Sequence, residues 1–431
     1  MKFSNELFKS VAGVRQEPPW LLGLREKAWE KFEQLRDPIP QDEEWKYTPL
    51  NQFKLDDFDF GGATQTGATP FDFKPLLIQG SGNIVQNQTK KMNASLDPTI
   101  EKSGVFWGGI QEALQRYPSK LEPLLKEALK ISDSKFQNLH HALEQGGNIL
   151  YVPKGTEVER PFYNLTLLEK GSAFPFLLIV VESHAKVALI DEMISVLDSH
   201  EPQFVSCDRF FWVHPEARLD YTHVQQCHKN ISLYEHQYAR VMQDAIFQSV
   251  HVGMGAKCAK SKIHTALEAP GAQAQVLGVF FGDERGQFDH YTIQEHRAEH
   301  TQSDLLFKSV LKDEAQANYQ GVIEIPKVAQ HSEAFQANRN LLLSEHAKAR
   351  SIPKLEIIAD DVQCKHAATM STLDAEEAFY LESRGLSPND AEQIMTEGFF
   401  EQVLTKIPSE EVRMRLQNTV HAKLMRGGTN A

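Results

Sequence analysis

Apolar residues recur with two different periods along the chain, and the change of period divides it into three segments. In residues 1–147 apolar side chains return at helical spacing after Pro18-Pro19, which predicts a helix over 20–36. The same spacing predicts helices over 106–117, 121–131 and 134–144. We therefore expect a mainly helical N-terminal domain over 1–147.

The second segment, residues 148–370, carries short β-rich runs with no helix-length periodicity between them, which argues against βαβ units. A turn-then-strand phrase recurs with small residues at matching places. Such a pattern is typical of stacked coils, in which each coil buries its inner face only against its neighbours. A β-sandwich would use the same strands with hairpin turns, but Asn-Gly and Asp-Gly dipeptides are absent. The fold class predicted here is mainly β, with a β-helix (β-solenoid) core over 148–370.

The strand-like runs and the copies of the turn phrase can be located in the printed sequence. The runs are Ile149–Val152, Tyr163–Leu168, Phe176–Val181, Val187–Ile190, Phe210–Val213, Ala245–Val252, Val276–Phe281, Leu305–Val310, Gly321–Ile325 and Glu356–Ile358. The copies of the phrase begin at Ser183, Pro215, Pro270, Asp313 and Glu345.

The third segment, residues 371–431, returns to helical patterns. Asp374 with Glu377 has the form of an N-cap with a capping box, and Gly385 would end that helix. Ser387 with Pro388 begins a second helix in the same way. We expect this C-terminal helical domain to cap an otherwise exposed β edge, as a soluble solenoid requires.

Composition narrows the class of protein. The chain has 45 Lys and Arg against 58 Asp and Glu, a net charge of −13, which argues against nucleic acid as a partner. No apolar run is long enough for a signal peptide or a membrane span. Four cysteines in 431 residues do not make a disulfide framework. Reduced thiols and a cytoplasmic location are the expectation.

Two glycine- and histidine-based motifs are weak candidates for catalysis. The stretch Gly253–Cys258 begins like a phosphate-binding loop but lacks a third glycine and a following helix, so we interpret it as a turn. Any ATP hydrolysis must then come from a partner. His296 to His300 spells the H-x-x-E-H motif of a zinc hydrolase, which needs a helix, yet its surroundings look like strands. We interpret His290 and His331, which have polar neighbours, as turn or surface residues.

Cys364-Lys365-His366 is the better candidate for a metal site. Thiolate and imidazole both bind iron in clusters, and in an extended segment residues i and i+2 point to the same face. Lys365 would point the other way, and a second chain would have to supply the remaining ligands. The alternative is a solvent-facing turn before the helix at Asp374. The other cysteines (Cys207, Cys227 and Cys258) we interpret as buried, inert thiols.

Longer phrases around this triplet are similar to a known family. LEIIADDVQCKHAAT, followed by LDAEEAFYLESRGLSPNDAEQIMTEGFF, resembles the shared C-terminal core of the SufB/SufD family of the SUF iron–sulfur cluster assembly system. The segments His300–Leu311 and Gln336–Ala349 continue the resemblance. EEWKYTPL at Glu43–Leu50 is similar to the amino-terminal phrase of the SufD branch, and an N-terminal cysteine cluster is absent. The chain most resembles that branch.

The resemblance implies a right-handed parallel β-helix flanked by helical terminal domains, and a scaffold subunit with no enzymatic turnover. It implies pairing with a SufB-type paralogue and binding of a SufC-type ABC ATPase. A nascent cluster would assemble at the interface between the paralogues, with His366 and Cys364 as iron or cluster ligands on this chain. The isolated chain would hold no stable cofactor, only transient iron or an iron–sulfur cluster within the complex, and could form a homodimer. Contact with the ATPase falls on Asp374, Glu377, Tyr380, Arg384, Gly385, Leu386, Phe399 and Phe400.

Two alternatives stay open from the sequence. The chain could be the SufB-type paralogue that itself acts as the cluster scaffold. It could also be an independent β-helical, carbohydrate-active enzyme, which would need charged side chains clustered along one groove. The only acidic concentration near the signature is Asp360-Asp361.

Overall fold

The computed structural model describes residues 5–12, 17–60, 71–87, 91–131, 134–144, 146–197 and 200–425. Within these ranges the chain builds two large sheets, named here sheet A and sheet B, and helices that cover their outer faces. The helices are α1 (Asn5–Ala12), α2 (Pro19–Gln34), α3 (Pro98–Lys102), α4 (Ile110–Arg116), α5 (Pro118–Lys130), α6 (Lys135–Leu143), α7 (Ala375–Ser383), α8 (Pro388–Leu404) and α9 (Glu410–Met425). None of these helices is long and apolar enough to cross a membrane.

Strands alternate between the two sheets along most of the chain. Sheet A contains β1 (Gly82–Asn87), β2 (Lys91–Leu96), β5 (Phe162–Leu168), β7 (Lys186–Ser195), β9 (Arg218–Gln226), β11 (Ile246–Gly253), β13 (Gln273–Gly282), β15 (Gln302–Leu311), β17 (Ser332–Leu342) and β19 (Val362–Ser371). Sheet B contains β3 (Phe106–Gly109), β4 (Asn148–Val152), β6 (Phe176–Val181), β8 (Gln203–Val213), β10 (Ile231–Val241), β12 (Cys258–Leu267), β14 (Gln287–His296), β16 (Gln316–Ile325) and β18 (Lys348–Ile357).

Each coil of the resulting β-solenoid contributes one strand to each sheet, and strands of successive coils pair in parallel. In sheet A, Arg218 is aligned with Ile246, which is aligned with Gln273 and then Gln302, so one coil takes 27 to 29 residues. Antiparallel pairs occur only at the first end of the described sheets, where β2 joins β1 and β3 joins β4. The predicted parallel β-helix core is confirmed, whereas its right-handed sense stays a prediction.

The recurring turn phrase marks the corners at which the chain enters a strand. Its alanine is buried in each copy, as at Ala185 and Ala217, and its N–H donates to the carbonyl three residues earlier. The residue before it adopts a left-handed conformation in several coils, with φ of 60° at His184 and 58° at Glu216. A small side chain is required there because the corner closes directly onto the interior.

Each strand-like run overlaps an observed strand, but several strands were missed because their inward-facing residues are polar. Arg209 of β8 forms salt bridges inside the solenoid with Asp191 (2.7 Å) and Glu235 (3.2 Å). The Nε2 of His223 lies 2.7 Å from Glu235 in the same network. Polar interior positions hide the alternation by which a strand is normally identified. Within residues 148–371 the strands without a predicted run are β9, β10, β12, β14, β17 and β19, and β1, β2 and β3 of the first segment had none either.

Two further predictions were wrong in detail. The helix expected over 106–117 begins only at Ile110, because Phe106–Gly109 pairs with β4 at the edge of sheet B. His290 is not a surface residue, because it lies inside the solenoid on β14. Its neighbours in the strand, Asp289 and Tyr291, face the outer side of sheet B. The division into three domains stays a prediction, although β1, β2 and β3 of the first segment extend the sheets.

The N-terminal phrase EEWKYTPL forms a strap, defined here as residues 43–50, that crosses the outer face of sheet B. Trp45 stacks on Tyr234 of β10 with ring centroids 5.8 Å apart. Thr48 hydrogen-bonds the Asp289 carboxylate of β14. The guanidinium of Arg350 on β18 lies 4.7 Å from the Tyr47 ring. Lys260 of β12 and Asn318 of β16 donate hydrogen bonds to backbone carbonyls of the same segment, which therefore connects strands from five successive coils.

The C-terminal helices do not cap the last coil, and this expectation from the sequence was wrong. Helix α9 buries one stripe against the outer face of sheet A, and Phe400, Val403 and Leu404 of α8 join the same apolar cluster. The buried stripe of α9 consists of Val412, Leu416, Val420 and Leu424. Arg415 of α9 binds Glu192 of β7, far from the last coil. Helix α7 has no buried residue. The last strands, β18 and β19, therefore each pair on one side only within the described chain.

Three buried histidines make the fold sensitive to acid. Burial lowers the pKa of His140 and His296 to about 4 and that of His290 to about 3. Each is neutral in the folded chain but gains a proton on unfolding below the ordinary histidine pKa of about 6.5. The unfolded state then binds more protons, so the free energy of unfolding decreases as the pH falls from about 6.5 towards 4.

We expect His290→Phe to flatten this pH dependence. The His290 ring is surrounded by Phe280, Phe288 and Phe307 and its two nitrogens have no partner among the described residues, so phenylalanine suits the site. The free energy of unfolding can be measured by urea denaturation between pH 7 and pH 4.5. Its slope against pH should be smaller than that of the wild type by up to about 1.4 kcal/mol per pH unit. An unchanged slope would mean that His290 is not the neutral, buried group described here.

Candidate functional site

Strand β19 carries the candidate ligands on the last rung of sheet A. Cys364 is aligned with Ala334 of β17, and His366 with Gln336. Both partners are buried inside the solenoid, so alternate residues of β19 share that inward face. Cys364 packs against the interior apolar cluster that includes Ala334, whereas His366 is exposed. Cys364-Lys365-His366 therefore lies in a strand and not in a solvent-facing turn.

Lys365 points to the other face, as the sequence predicted. Its Nζ lies 5.8 Å from the centroid of Phe335, which belongs to the outer face of sheet A. In a strand the Cα atoms of residues i and i+2 are separated by roughly 6.6 Å. Cys364 and His366 therefore stand side by side at the open end of the solenoid, close enough to serve one metal ion or neighbouring irons of a cluster.

The thiol of Cys364 is not activated by its surroundings. Burial raises its pKa above the ordinary value, and a hydrogen bond with the backbone of Ala334 opposes this only in part. The thiol is therefore protonated near neutral pH and would lose its proton on binding a metal. Within the described part of the chain, no set of three or more His, Cys, Asp and Glu side chains is placed to hold a metal ion. Cys364 and His366 alone would therefore be an incomplete set of ligands for a metal ion or cluster.

A groove of about 700 Å³ adjoins the two ligands. Most of its lining residues belong to the outer face of sheet A, such as Leu306 and Phe335, and it extends to Gln402 of α8. Arg339 and Lys406 add positive charge to its rim, in a chain whose net charge is −13. The groove borders Cys364 and His366, of which His366 is exposed and Cys364 is partly exposed.

Four of the eight predicted partner-binding residues line a second groove of about 730 Å³ between α7 and α8: Asp374, Glu377, Tyr380 and Phe399. Asp374 caps α7 by accepting hydrogen bonds from the N–H groups of Glu376 (2.8 Å) and Glu377 (3.1 Å). The reciprocal capping box occurs instead in α8, between Ser387 and Asp390. Gly385 ends α7 with φ of 95°, which favours glycine.

The predicted contact residues differ in exposure. Tyr380 is exposed and Arg384 lies over its ring at 5.1 Å, while Leu386 is half-buried. Phe399 is half-buried beneath Lys308, which donates to the Phe399 carbonyl at 2.8 Å. Phe400 is fully buried against sheet A, so its ring does not reach a partner in this conformation.

Sequence reasoning missed Phe379, which is 72% exposed on α7. The adjacent aromatic residues Phe379 and Tyr380 could have pointed to it in the sequence. In the structure, none of the residues of α7 is buried. Exposed aromatic rings on a helix without a core contact are typical of a binding surface.

The glycine-rich stretch and the H-x-x-E-H motif belong to turns and strand ends of the solenoid. Gly253 ends β11 and Cys258 begins β12, so the glycine-rich stretch is a turn between strands and not a phosphate loop. His296 ends β14 and its two ring nitrogens lie 2.7 Å from Thr301 Oγ1 and 2.8 Å from Ser303 Oγ. His300 lies on a surface turn, stacked on His331 with ring centroids 4.8 Å apart. The pair does not share a helix, and the zinc hydrolase hypothesis was wrong.

Comparison with known proteins places these features in one family. Residues 165–399 match the family model of the SUF system FeS cluster assembly SufBD core domain, and residues 6–163 match that of the SufBD protein N-terminal region. The chain is 27% identical to the iron-sulfur cluster assembly protein SufD of Bacillus subtilis, over 98% of each chain. It is 25% identical to an iron-sulfur cluster assembly SufBD family protein of Synechocystis, over 94% of this chain and 91% of that one. A SufBD family protein of Staphylococcus saprophyticus is 22% identical over 94% and 90% of the two chains.

The site geometry predicts one accessible thiol in the native chain. Cys207, Cys227 and Cys258 are buried, and burial raises the pKa of all three thiols, whereas Cys364 is partly exposed. A thiol titration with a disulfide reagent should count about one reactive group, lost in Cys364→Ser, and about four after denaturation. Its rate should rise with pH beyond the ordinary thiol range because the pKa is raised. A native count that Cys364→Ser does not lower would contradict the placement of β19.

Proposed function

The chain belongs to the SufBD family of the SUF iron–sulfur cluster assembly system, and from this premise we propose that it is a scaffold subunit that acts by pairing. It performs no turnover of its own: it supplies one side of an interface at which iron and sulfide are assembled into a nascent cluster. The isolated chain holds no cofactor stably, because Cys364 and His366 are two ligands where a cluster needs more. Four free cysteines are consistent with a subunit that works in the reducing cytoplasm.

The observation that carries the proposal is the position of the two ligands on an edge strand. β19 pairs only with β17, and its other side is free among the described residues. Such an edge recruits a strand from another chain through backbone hydrogen bonds. A SufB-type paralogue that adds a strand here would bring its own side chains beside Cys364 and His366. An isolated chain could use the same edge to form a homodimer.

The neighbouring edge strand is less suited to this pairing. β18 contains Pro353, which lacks the N–H needed for a ladder bond, whereas β19 contains no proline. β18 is also fastened by the strap, since Lys354 lies 3.2 Å from Glu43. These differences favour β19 as the strand that receives the paralogue.

A SufC-type ABC ATPase would bind at the groove between α7 and α8. The chain has no phosphate loop of its own, so ATP hydrolysis would have to come from such a partner. Phe379 and Tyr380 offer an exposed aromatic surface, rimmed by the acidic side chains of Glu376 and Glu377. The surface lies on the helices that follow β19 directly, which would let the ATPase act on the geometry of the cluster interface.

The proposal is tested by purifying the chain together with the SufB-type paralogue and SufC-type ATPase of the same organism. We expect a stable complex that retains iron and sulfide after anaerobic reconstitution. His366→Ala should lower the retained iron roughly 10-fold or more, because ligand loss costs at least as much as loss of a supporting residue. Gln363→Ala, on the outer face of the same strand, is the matched control and should behave as the wild type.

Two results would count against the proposal. If His366→Ala retained as much iron and sulfide as the control, His366 would not be a ligand. If the three proteins eluted separately under all reconstitution conditions, the pairing role itself would be wrong.

A further inference from the structure

One corner of the solenoid carries a column of side chains that the proposed function does not use. In successive coils the chain passes from sheet B into sheet A through a residue with a positive φ, and the N–H of that residue donates to a carbonyl of the next coil. Two imidazoles follow each other at the end of the column nearest the open edge. In order, the residues of the column are His184, Glu216, Asp244, Gly271, His300 and His331.

The two imidazoles lie against each other at the corners that lead into β15 and β17. The ring centroids of His300 and His331 are 4.8 Å apart, and the ring planes are inclined by 21°. Both residues are exposed, with φ of 57° and 59°. Because paired strands of successive coils are separated by roughly 4.8 Å, the backbone ladder keeps the two rings within reach of each other.

Asp361, at the next corner of the chain, holds the ring of His331. Its carbonyl accepts from the N–H of His331 at 2.6 Å, and its Oδ2 lies 2.9 Å from His331 Nδ1. The Asp361 N–H in turn donates to the side-chain oxygen of Gln330 at 2.9 Å. A neutral His331 that donates from Nδ1 to this carboxylate has Nε2 as its acceptor nitrogen, available to a metal ion.

The ring of His300 is free to serve the same ion. Among the residues that the structure describes, its ring nitrogens have no hydrogen-bond or ion-pair partner. The distribution of histidine χ2 angles is broad, so a rotation of the exposed His300 ring can turn one nitrogen towards Nε2 of His331. Imidazole suits zinc, copper, iron and nickel, and a carboxylate on the second ring nitrogen is the usual support of a metal-bound histidine.

We propose that His300 and His331 form a binding site for a divalent first-row transition-metal ion, with Asp361 as the residue that orients His331. The two imidazoles are the protein ligands and water completes the coordination, since no set of three or more His, Cys, Asp and Glu within the described ranges is placed to hold a metal ion. Asp361 directly precedes β19, so a bound ion connects the corners before β15, β17 and β19. The site is separate from Cys364 and His366 and does not rest on the proposed function.

The same column contains a matched control. His184 has φ of 60°, and its Nδ1 lies 3.1 Å from a carboxylate oxygen of Glu216. It therefore has the backbone conformation and the carboxylate partner of His331, but its neighbour in the column is an acid and not a second imidazole. If one supported histidine at such a corner were sufficient, His184 would bind a metal ion as well as His331 does.

The test is a calorimetric titration of the full chain with Zn²⁺ at a pH about one unit above the ordinary histidine pKa of about 6.5. The parent chain carries Cys364→Ser and His366→Ala, which removes the other candidate ligands. We expect one zinc ion per chain, and no binding in the same concentration range after His300→Asn or His331→Asn. Asparagine tolerates a positive φ, so the corners are retained. Asp361→Ala should weaken binding about 10- to 100-fold, and His184→Asn should change nothing.

Nuclear magnetic resonance of the same chain labelled with ¹⁵N in histidine gives a second measurement. Zinc should shift the ring signals of His300 and His331, each identified by its loss in the asparagine variant, and should leave those of His184 in place. Absence of zinc binding by the parent chain, or binding that His300→Asn and His331→Asn leave unchanged, would overturn the proposal. An equal loss of binding in His184→Asn would also overturn it, because the ion would then not depend on the pair.

Discussion

Backbone pairing between successive coils is the constraint on which the rest of the structure depends. Every inner strand satisfies its N–H and C=O groups with the strand one coil before and the strand one coil after. The rule cannot hold at the last coil, where β18 and β19 each have one neighbour. Helices α8 and α9 leave this edge open because their apolar stripes are used on the outer face of sheet A. Backbone pairing is thus open at both ends of the described sheets, and one of these end strands, β19, carries Cys364 and His366.

Because side chains alternate along a strand, the inward and outward residues of β19 have different surroundings. Inward positions of β19 continue the interior rows of the solenoid, so the thiol and the imidazole face the place where another chain would close the coil. Outward positions, such as Lys365, belong to the surface of sheet A. The helix that follows presents Phe379 and Tyr380 to solvent on a separate face. The proposed metal ligands and the proposed contacts with the ATPase are adjacent in the chain but use different residues.

The sequence predicted the solenoid architecture better than it predicted which residues lie around Cys364 and His366. The corner alanines and the strand-like runs were sufficient for the solenoid, because small corners and apolar inward residues follow from its geometry. Strands such as β9 and β10 escaped notice because Arg209, Glu235 and His223 pair inside the solenoid, and burial of paired charges has no local pattern. The spacing of Cys364 and His366 predicted a shared face correctly. It could not reveal that His366 is aligned with Gln336, since residues 30 positions apart meet only through the register of β17 and β19.

The open edge is tested most directly by backbone hydrogen exchange of β19, measured in the isolated chain and after addition of the SufB-type paralogue. Amides of β17, which pairs on both sides, should exchange slowly in both samples. In the isolated chain about half of the β19 amides should exchange rapidly, because they have no partner strand, and they should become protected in the complex. Protection of β19 equal to that of β17 in the monomeric isolated chain, or rapid exchange of β19 that persists in a stable complex, would contradict an interface built on this strand.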